Sequence, residues 1–373
     1  MLVAVGHRAS QFPNRTIPVE RTAMRAVPPW LRFCGPGRSR AAFRCPLSHK
    51  KEHIRPTRLA AAAALAHWWK MVHPVGYDRS RLKEDLSDGD AVNDGKVCLI
   101  TGASRGIGLA VAERLAADGH DVLLVARDRQ RLNLAKERIA ALRAGQVQLF
   151  PADLSLLAEV KALAERITSE NSRIDILINN HVQIFVHRVV TSEGLEANFA
   201  LNYLSYYLLS RQLLPWIASG GRVVNVTAEV HRRASLDFED LQNARDYDGG
   251  AAYDRAKLAV MLFTSELAKR VRKGALTVNS VHPGSVDTDA LHAYRSIRRG
   301  DPRAQPTLKS TAEGAEPVHF LATAPELDEV TGAYFVDNSP TEPSPAAQDS
   351  ATALRLWEAS AGLTGLPLDL QEI

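Results

Sequence analysis

Three things are scarce in this sequence of 373 residues, and each scarcity narrows the class of protein. Cysteine occurs only at positions 34, 45 and 98, an odd number at wide spacing, so no disulfide framework is expected and a reducing compartment is favoured. No run of about 18 apolar residues occurs, so the sequence predicts no membrane-spanning helix. We therefore predict a cytoplasmic protein.

The third scarcity is that of acidic residues at the beginning of the chain. Residues 1–77 contain 13 lysines and arginines but only two acids, Glu20 and Glu52, giving a net charge of +11 against −7 for the remainder. Such sequence is found in mitochondrial transit peptides, in basic arms that bind nucleic acid or anionic lipid, and in poorly ordered extensions. We favour a poorly ordered extension. A transit peptide would instead place the protein in mitochondria, and no nucleic-acid partner is expected.

The same segment contains Cys34, Cys45, His49 and His53. Ten residues separate the two cysteines and three separate Cys45 from His49, which differs from the two close pairs of a zinc finger. No metal site is therefore predicted. Residues 78–95 are interpreted as a linker to the domain that follows.

From residue 96 onward, short apolar runs alternate with longer helical patterns, which is typical of a parallel sheet flanked by helices. The predicted strands are Val97–Thr101, Asp121–Val125, Gln146–Pro151, Ile174–Asn179, Arg222–Thr227, Leu276–His282 and Ala333–Val336. A C-terminal amphipathic helix is predicted at residues 351–363. We predict an α/β fold, a doubly wound parallel sheet of the Rossmann-like kind, forming a single domain over residues 96–373.

A glycine-rich turn, TGASRGIG, directly follows the first predicted strand and precedes a helix predicted through residues 110–118. Gly102, Gly106 and Gly108 let the backbone approach a pyrophosphate, and the helix N-terminus offers it free N–H groups. A glycine turn used only for tight packing is the alternative. The order of strand, turn and helix favours a dinucleotide site, whose predicted residues include Ser104, Arg105 and Ile107.

The end of the second predicted strand bears on the choice between NAD and NADP. An acidic side chain there would hydrogen-bond the ribose 2′-hydroxyl of NAD, but Ala126 occupies the position and Arg127 follows it. Arg105 and Arg127 are predicted to clamp a 2′-phosphate, which favours NADP(H); the alternative is that both are solvated surface charges. Asp153 is predicted to accept from the adenine amino group, to cap the next helix, or both.

Tyr253 and Lys257 lie four residues apart on a predicted helix, so their side chains share one face. An ammonium group beside a phenol favours the phenolate, so the pKa of Tyr253 is expected to fall toward neutrality. Tyr253 is therefore the predicted acid and base for the interconversion of a carbonyl and an alcohol, with hydride transfer left to a nicotinamide.

Over about residues 96–363 the sequence resembles the short-chain dehydrogenase/reductase family. The resemblance rests on TGASRGIG, Asp153, Asn179-Asn180, Asn202, Tyr253-x-x-x-Lys257, and His282-Pro283-Gly284 with Thr288. The stretches TSEGLEANFALNYLSYYLLSRQLLP, AAYDRAKLAVMLFTSELAKR and TGAYFVDNSPTEPSPAAQDSATALRLWEAS are similar to its retinol dehydrogenase-like branch.

The resemblance implies roles for further residues. Lys257 would also bind the nicotinamide ribose, and Asn202 would hold a water molecule that links Lys257 to solvent. Residues 289–309, rich in arginine and histidine, would form a lid over the substrate; they could attract an acidic group or form a solvated face. The cofactor-binding residues implied after the fourth and sixth strands are Asn180, Pro283, Gly284 and Thr288.

The sequence departs from the family pattern at the end of the fifth strand, where Ala228 replaces the catalytic serine. Thr227 is expected to face the other side of the strand, because neighbouring strand residues point in opposite directions. Loss of one such hydrogen-bond donor costs about 2.7–4 kcal/mol, so activity is expected to be reduced rather than abolished. Three groups are considered as replacements for the serine hydroxyl: a water molecule, Glu229 and His231.

A second departure follows the fourth strand, where His181-Val182 replaces Ala-Gly. Val182 is expected to shift or weaken the nicotinamide-ribose end of the cofactor site, because glycine permits closer backbone approach. His181 is interpreted as a hydrogen-bonded structural histidine, with a new polar group in the cofactor site as the alternative.

These features predict an NADP(H)-dependent oxidoreductase that interconverts an aldehyde or ketone and an alcohol on a small, lipophilic substrate. Tyr253, Lys257 and Asn202 are the predicted catalytic residues. The alternative function is an NADP(H)-binding sensor or scaffold with weak or no catalysis. A homodimer is expected if residues 200–214 and 251–271 expose their apolar positions; otherwise those positions belong to the core.

Overall fold

The computed structural model describes residues 95–142, 145–272, 274–298 and 307–370. The predicted extension at residues 1–77, the linker up to residue 94, and residues 299–306 of the predicted lid lie outside the described residues. The cysteine and histidine group at positions 34–53 lies outside them as well.

The described chain contains a sheet of eight strands in the order β3-β2-β1-β4-β5-β6-β7-β8. The strands are β1 (Val97–Thr101), β2 (Asp121–Ala126), β3 (Val147–Pro151), β4 (Ile174–Asn179), β5 (Ile217–Val226), β6 (Leu276–His282), β7 (Tyr334–Val336) and β8 (Ser339–Pro340). All pairings are parallel except that of β7 with β8. The order reverses between β1 and β4, where open α/β sheets bind ligands. The predicted doubly wound, Rossmann-like fold is confirmed.

Helices cover both faces of this sheet. Those of nine or more residues are α1 (Gly106–Ala117), α2 (Arg129–Ala140), α3 (Leu157–Glu170), α4 (Ser205–Leu213), α5 (Gly249–Arg270), α6 (Asp289–Ile297), α7 (Thr311–Thr323) and α8 (Ser350–Thr364). A π-helical stretch, Ala200–Leu204, leads into α4. Within the described ranges, no helix combines the length and the apolar character needed to cross a membrane.

Two apolar cores lie on the two faces of the sheet, because side chains alternate along each strand. On β1, Leu99 belongs to the core formed with α3, α4, α5 and α8. Cys98 and Ile100 belong to the core formed with α1, α2 and α7. Burial on both faces explains why the strands are nearly continuous apolar runs and could be recognised in the sequence.

Helix α8 packs over α4 and α5. The buried ring of Trp357 lies 5.1 Å from that of Tyr207 and 6.3 Å from that of Phe263, measured between centroids. The guanidinium groups of Arg211 and Arg270 each lie 4.5 Å from the centroid of the Trp357 ring. Apolar positions of α4 and α5 that suggested a homodimer therefore contribute to the core of one chain.

Two element boundaries differ from the prediction by more than one residue, and one strand was not predicted. Helix α1 begins at Gly106 rather than near residue 110, and β5 begins at Ile217 rather than residue 222. After β7, Asp337 and Asn338 adopt φ angles of 47° and 62° and close a two-residue hairpin into β8. The prediction missed β8 because the strand has only two residues, although the Asp-Asn pair is a turn signal.

Candidate active site

Two adjoining cavities lie at the carboxyl ends of the strands. The glycine cavity, about 760 Å³, is lined by the glycine turn and the segments after β2 and β3. The tyrosine cavity, about 490 Å³, is lined by the segments after β5 and β6 and by Tyr253 and Lys257. The two cavities share Ile107, Asn180, Val182, Thr288 and Ala290. A ligand held in the glycine cavity can therefore extend into the tyrosine cavity.

The glycine turn has the conformation needed for close backbone approach. Gly102 and Gly106 have φ angles of 69° and 61°, a region that glycine occupies at little cost. An added Cβ at Gly108 would lie 2.4 Å from the carbonyl oxygen of Gly102 and 2.5 Å from Nδ2 of Asn180. Helix α1 receives no capping hydrogen bond from the side chain of its N-cap residue, Arg105, so its first N–H groups can serve an anion.

Asn180 fastens the end of β4 to this turn. Its Nδ2 donates to the carbonyl oxygen of Thr101 at 3.0 Å, and its backbone N–H donates to Oγ1 of Thr101 at 2.9 Å. Gly108 packs against Asn180, whereas the other residues predicted from the turn line the glycine cavity, namely Gly102, Ser104, Arg105, Gly106 and Ile107. The turn and the end of β4 thus form one rigid wall.

Three guanidinium groups border the glycine cavity, those of Arg105, Arg127 and Arg131. Burial, and then repulsion from Arg131 and Arg127, lower the pKa of Arg105, which shows that the charges act on one another. Their carboxylate partners are Asp289 for Arg105, Asp153 for Arg127 at 3.5 Å, and Asp128 for Arg131 at 3.3 Å. Arg131 was not predicted, although it stands in the same ARDRQR run as Arg127.

Asp153 holds the turn after β3 and lines the glycine cavity. Its Oδ1 accepts from the backbone N–H of Ser155 at 3.0 Å and from the Ser155 hydroxyl at 2.7 Å. Burial alone would raise the pKa of Asp153, but these hydrogen bonds and the charge of Arg127 lower it. The predicted capping role is wrong, because Glu193 caps α3 through the N–H groups of Leu157 and Ala158.

Tyr253 and Lys257 both line the tyrosine cavity, in agreement with their spacing on α5. Lys257 is buried, and its Nζ donates to the carbonyl oxygen of Val226 at 3.0 Å. The same Nζ lies 5.8 Å from the centroid of the Tyr253 ring. The Tyr253 hydroxyl makes no hydrogen bond with the part of the chain that the structure describes, which leaves it available to a ligand in the cavity.

The pKa values of this pair differ from the expectation. Burial, followed by Asp254 and Tyr294, raises the pKa of Tyr253, while burial lowers the pKa of Lys257 to about 7. The predicted fall in the pKa of Tyr253 is therefore wrong for the protein alone. Burial disfavours the charged forms of both groups and outweighs the attraction between ammonium and phenolate.

Asn202 lies in the π-helical stretch before α4 and is buried. Its Oδ1 accepts from the backbone N–H of Gln183 at 3.1 Å, and its Nδ2 donates to the Gln183 carbonyl at 2.8 Å. Asn202 lines neither cavity and, among the described residues, makes no hydrogen bond with Lys257. The structure thus places Asn202 as a support for the segment at Gln183, which lines the glycine cavity.

Ala228 lines the tyrosine cavity directly after β5. The preceding hydroxyl, that of Thr227, donates to the backbone carbonyl of Lys257 at 3.2 Å. The expectation that Thr227 faces away from the substrate side is wrong, because Thr227 also lines the tyrosine cavity and its hydroxyl bonds to α5, the helix that carries Tyr253. Neither residue offers a free hydroxyl to a ligand in the cavity.

The two side chains considered as substitutes for the serine are also engaged. Glu229 accepts from Arg232 at 2.5 Å and from the Tyr334 hydroxyl at 3.0 Å. His231 is buried, with Nδ1 at 2.9 Å from the carbonyl oxygen of Ala228 and Nε2 accepting from the backbone N–H of Ser344 at 3.4 Å. Both residues brace the turn after β5, and neither replaces the serine in this conformation.

His181 is a satisfied structural histidine, in agreement with the preferred interpretation. Its Nδ1 lies 2.8 Å from Oγ1 of Thr101, and its Nε2 lies 2.9 Å from the carbonyl oxygen of Leu201 and 2.6 Å from Oγ of Ser205. Because the Leu201 carbonyl only accepts, Nε2 carries the hydrogen. Burial, and then the charge of Lys257, lower the pKa of His181 to about 3, so the ring is neutral.

The segment after β6 lines both cavities. Pro283, Gly284 and Thr288 line the tyrosine cavity, and Gly284 has a φ angle of 89°. Thr288 caps α6, since its Oγ1 accepts from the backbone N–H of Leu291 at 3.4 Å. Val182, with 36% exposure, lies in the segment after β4 and lines both cavities. It occupies space that glycine would leave open.

Helix α6, the first part of the predicted lid, is anchored beside Tyr253. The ring of Tyr294 lies 5.7 Å from that of Tyr253, and its hydroxyl donates to Oδ1 of Asp254 at 2.9 Å. Arg298 approaches Asp248 at 3.4 Å and Asp254 at 3.6 Å, while burial raises the pKa of Asp254 to about 6. The anchor was not predicted, because no sequence pattern links Asp254 to the lid. Arg299 and Arg303 lie outside the described residues.

A glycine turn at the switch point of a Rossmann-like sheet, joined to a cavity that contains a tyrosine and a lysine, is the arrangement of a nicotinamide-dependent oxidoreductase. Residues 96–298 match the family described as short chain dehydrogenase. The chain belongs to this family, whose members are oxidoreductases that bind a nicotinamide cofactor and act on small molecules.

Its sequence is retinol dehydrogenase-like. The chain is 36% identical to Retinol dehydrogenase 13 of Mus musculus over 285 residues, which cover 74% of this chain and 85% of that protein. It is also 36% identical to Retinol dehydrogenase 12 of Bos taurus over 275 residues, covering 73% and 87%.

Two solved structures show the same fold. An uncharacterized protein from Mycobacterium Paratuberculosis has a TM-score of 0.62 and 28% identity, with 74% of this chain and 95% of that chain covered. A short chain dehydrogenase from Burkholderia cenocepacia J2315 in complex with NADP has a TM-score of 0.52 and 25% identity, covering 68% and 98%.

Proposed function

We propose that this protein is an NADP(H)-dependent oxidoreductase that interconverts an aldehyde or ketone and an alcohol on a small lipophilic substrate. The observation that carries the proposal is the position of Tyr253 and Lys257 in a cavity that adjoins the glycine cavity. A nicotinamide extending between the cavities would meet the substrate beside the Tyr253 hydroxyl. When bound, the nicotinamide supplies the hydride for reduction or takes it up in oxidation.

The glycine cavity fits a dinucleotide. Glycine at 102, 106 and 108 leaves room that a Cβ would fill or a strained φ would forbid, and the uncapped start of α1 suits a pyrophosphate. The three guanidinium groups of Arg105, Arg127 and Arg131 suit the 2′-phosphate of NADP. No carboxylate stands at position 126 to bind the ribose 2′-hydroxyl of NAD. The proposed cofactor-binding residues are Gly102, Ser104, Arg105, Gly106, Ile107, Gly108, Arg127, Arg131, Asp153, Asn180, Tyr253, Lys257, Pro283, Gly284 and Thr288.

The proton chemistry is assigned to Tyr253. In reduction its hydroxyl donates a proton to the oxygen of the carbonyl group, and in oxidation it receives the proton back. Lys257, whose pKa burial lowers to about 7, is poised to exchange a proton near neutral pH and to bind the nicotinamide ribose. We also propose that Asn202 holds a water molecule that links Lys257 to solvent. Its hydrogen bonds to Gln183 position the segment that lines the glycine cavity.

A lipophilic substrate suits the wall of the tyrosine cavity. Apolar side chains dominate this wall, namely Ile107, Val182, Ile184, Val226, Val230, Val286 and Leu291. Proteins named retinol dehydrogenases are about one-third identical to this chain, which makes a long-chain or isoprenoid aldehyde the first class to test. Because Ala228 provides no hydroxyl, the rate would lie about 10² to 10³ below that of an enzyme with the serine if no other side chain supplied the donor.

A second candidate function is NADP(H) binding without turnover, as a sensor or scaffold. It is favoured by Ala228 in the tyrosine cavity and by Val182 in the shared wall. The two candidates differ in one respect: the first converts a carbonyl compound and the second does not. The cytoplasmic location, the homodimer and the domain boundary at residue 96 stay predictions.

Fluorescence titration with NADPH and NADH, followed by absorbance of the nicotinamide with all-trans-retinal, decanal and a ketone, distinguishes these functions. We expect NADPH to bind about tenfold or more tightly than NADH, because a paired arginine cluster is worth at least 1.4 kcal/mol to a phosphate. Turnover of any carbonyl supports the first function. Tight NADPH binding without turnover, also in Ala228→Ser, supports the second, and absence of nucleotide binding contradicts both.

A further inference from the structure

The tyrosine cavity contains polar groups whose hydrogen-bonding capacity is unused. Apart from the Tyr253 hydroxyl, these are the ring of His282 and the hydroxyl of Ser285, neither of which makes a side-chain hydrogen bond with the described residues. Thr227 and Glu229 are engaged elsewhere, as described above. A replacement for the missing serine donor therefore has two candidates in the wall.

His282 differs from Ser285 because one of its ring nitrogens is buried without a hydrogen-bond partner among the described residues. That nitrogen is Nδ1, whereas Nε2, which also makes no hydrogen bond with the described residues, is not buried. An unpaired buried polar atom costs about 1–3 kcal/mol, and such atoms concentrate where function requires them. Ser285 stands on the loop beyond the strand, where its carbonyl accepts from the backbone N–H of Lys309 at 2.8 Å.

The register of the sheet directs His282 to the face on which α5 lies. Val226 pairs with Val281, so His282 is level with Thr227, whose hydroxyl bonds to Lys257 on α5. Two residues earlier on the same strand, the Ser280 hydroxyl donates to Sδ of Met261, also on α5. Because side chains two apart share a face, His282 faces the helix that carries Tyr253.

The charged neighbours of His282 come from three segments. Burial lowers the pKa of His282 to about 4; Glu229 and Asp337 act to raise it, and Lys309 and His231 act to lower it. The ring is therefore neutral near pH 7 and carries a single N–H. The tautomer with hydrogen on Nε2 places that N–H on the nitrogen that is not buried.

We infer that His282 donates a hydrogen bond from Nε2 to the reacting oxygen of the substrate, in the role that a serine at position 228 would otherwise have. The inference rests on the proposed function. In reduction the π electrons of the carbonyl move to oxygen and the Tyr253 proton forms the O–H bond, while a bound nicotinamide would supply the hydride for the new C–H bond. His282 keeps its hydrogen throughout and stabilises the charge that develops on oxygen.

A double-mutant cycle tests this role. His282→Ala is made in the native chain and in Ala228→Ser, and kcat/KM is measured with saturating NADPH and decanal or all-trans-retinal. We expect a loss of about 10²-fold in the native chain but less than about fivefold in Ala228→Ser, because one donor can replace the other. An equal loss in both backgrounds, or no loss in the native chain, would overturn the inference.

Ser285→Ala is the matched control in both backgrounds, and we expect it to change kcat/KM less than about threefold. If Ser285→Ala shows the background-dependent loss instead, the donor is Ser285 and the inference is wrong. The Kd for NADPH and the thermal unfolding midpoint of each variant separate loss of the donor from loss of the fold.

A second measurement does not depend on turnover. Long-range ¹H–¹⁵N spectra of ¹⁵N-histidine-labelled protein, with the His282 signals assigned from His282→Ala, identify which nitrogen carries the hydrogen. The inference requires the Nε2–H form at pH 7 and a change of its signal when NADP and decanol are added together. The Nδ1–H form, or no change on adding the alcohol, would overturn it. If no variant shows turnover but the His282 signals behave as required, the result counts against the proposed function and not against the position of the His282 hydrogen.

Discussion

The hydroxyl group of Thr227 donates a hydrogen bond to the backbone carbonyl of Lys257, with 3.2 Å between the two oxygen atoms. A second bond runs the other way, from Nζ of Lys257 to the carbonyl oxygen of Val226 at 3.0 Å. The end of β5 is thereby joined to the turn of α5 that carries the proposed catalytic pair. Thr227 and Ala228 both line the tyrosine cavity at this strand end, but the Thr227 hydroxyl hydrogen is engaged and Ala228 has no polar group.

Thr227→Val and Ala228→Ser should therefore have different effects. We expect Thr227→Val to lower the free energy of unfolding by about 1 kcal/mol, through loss of a buried hydrogen bond, and to change kcat/KM less than about threefold. Ala228→Ser should leave stability unchanged and raise kcat/KM by no more than about tenfold, because it adds a second donor beside the one we assign to His282. Urea unfolding and steady-state NADPH oxidation measure both. A gain of about 10²-fold or more from Ala228→Ser would show that no side chain supplies this donor in the native chain.

The arginine cluster predicts which residues select the cofactor. We expect Arg131→Ala and Arg127→Ala each to raise the Kd for NADPH by about tenfold and to change the Kd for NADH less than threefold, because only NADPH has the 2′-phosphate. Arg138→Ala is the matched control, since Arg138 lies on α2 with Arg131 but pairs with Glu113 outside the cavity. Equal losses of NADPH and NADH affinity would show that the arginine cluster does not bind the 2′-phosphate.

Val182→Gly tests whether the bulky side chain obstructs the passage between the cavities. We expect the Kd for NADPH to fall by about three- to tenfold, which corresponds to about 0.7–1.4 kcal/mol, because glycine leaves room at the shared wall. Val186→Gly serves as the control, since Val186 is exposed in the same segment and lines neither cavity. An equal change in both variants would assign the effect to backbone flexibility alone.

His181 makes stability depend on pH. Because its pKa in the folded protein is about 3, below its ordinary value of 6.5, the unfolded chain binds a proton that the folded chain does not. This contribution to stability is complete above pH 6.5 and is lost as pH falls toward 3, at up to about 1.4 kcal/mol per pH unit. The buried His231 and the partly buried His282, whose pKa values are also lowered, act in the same direction.

Urea unfolding at pH 7.5 and 5.5 checks this account. We expect His181→Asn to be less stable than the native chain by about 2–4 kcal/mol at pH 7.5 and to lose less stability at pH 5.5 than the native chain does. The exposed His187→Asn should match the native chain at both values. An unchanged pH dependence in His181→Asn would mean that His181 is not buried in its neutral form.

The fold was predictable because its signals are local. Leu99 and Ile100 belong to opposite cores, so each strand reads as an apolar run, and the glycine turn follows the first of these runs directly. The prediction that Tyr253 and Lys257 share one face of a helix also agrees with the structure, because the geometry of a regular helix decides which residues share a face.

What escaped prediction depends on neighbours that are distant in sequence. The engagement of Glu229 by Tyr334 is set by the packing of β5 against β7 through the intervening strand. The direction of the Tyr253 pKa shift was wrong because burial, a property of the whole fold, exceeds the effect of one charge four residues away. The contact of Tyr294 with Asp254 likewise arises only when α6 folds over α5.

The central claim is that Tyr253 transfers the proton in a carbonyl reduction, and Tyr253→Phe tests it most directly. NADPH oxidation is followed with a saturating lipophilic aldehyde, and the Kd for NADPH is measured in the same preparations. The account predicts that kcat falls by at least about 10²-fold while the Kd changes less than about threefold. Turnover that survives Tyr253→Phe at the native rate, with NADPH still bound, would contradict it.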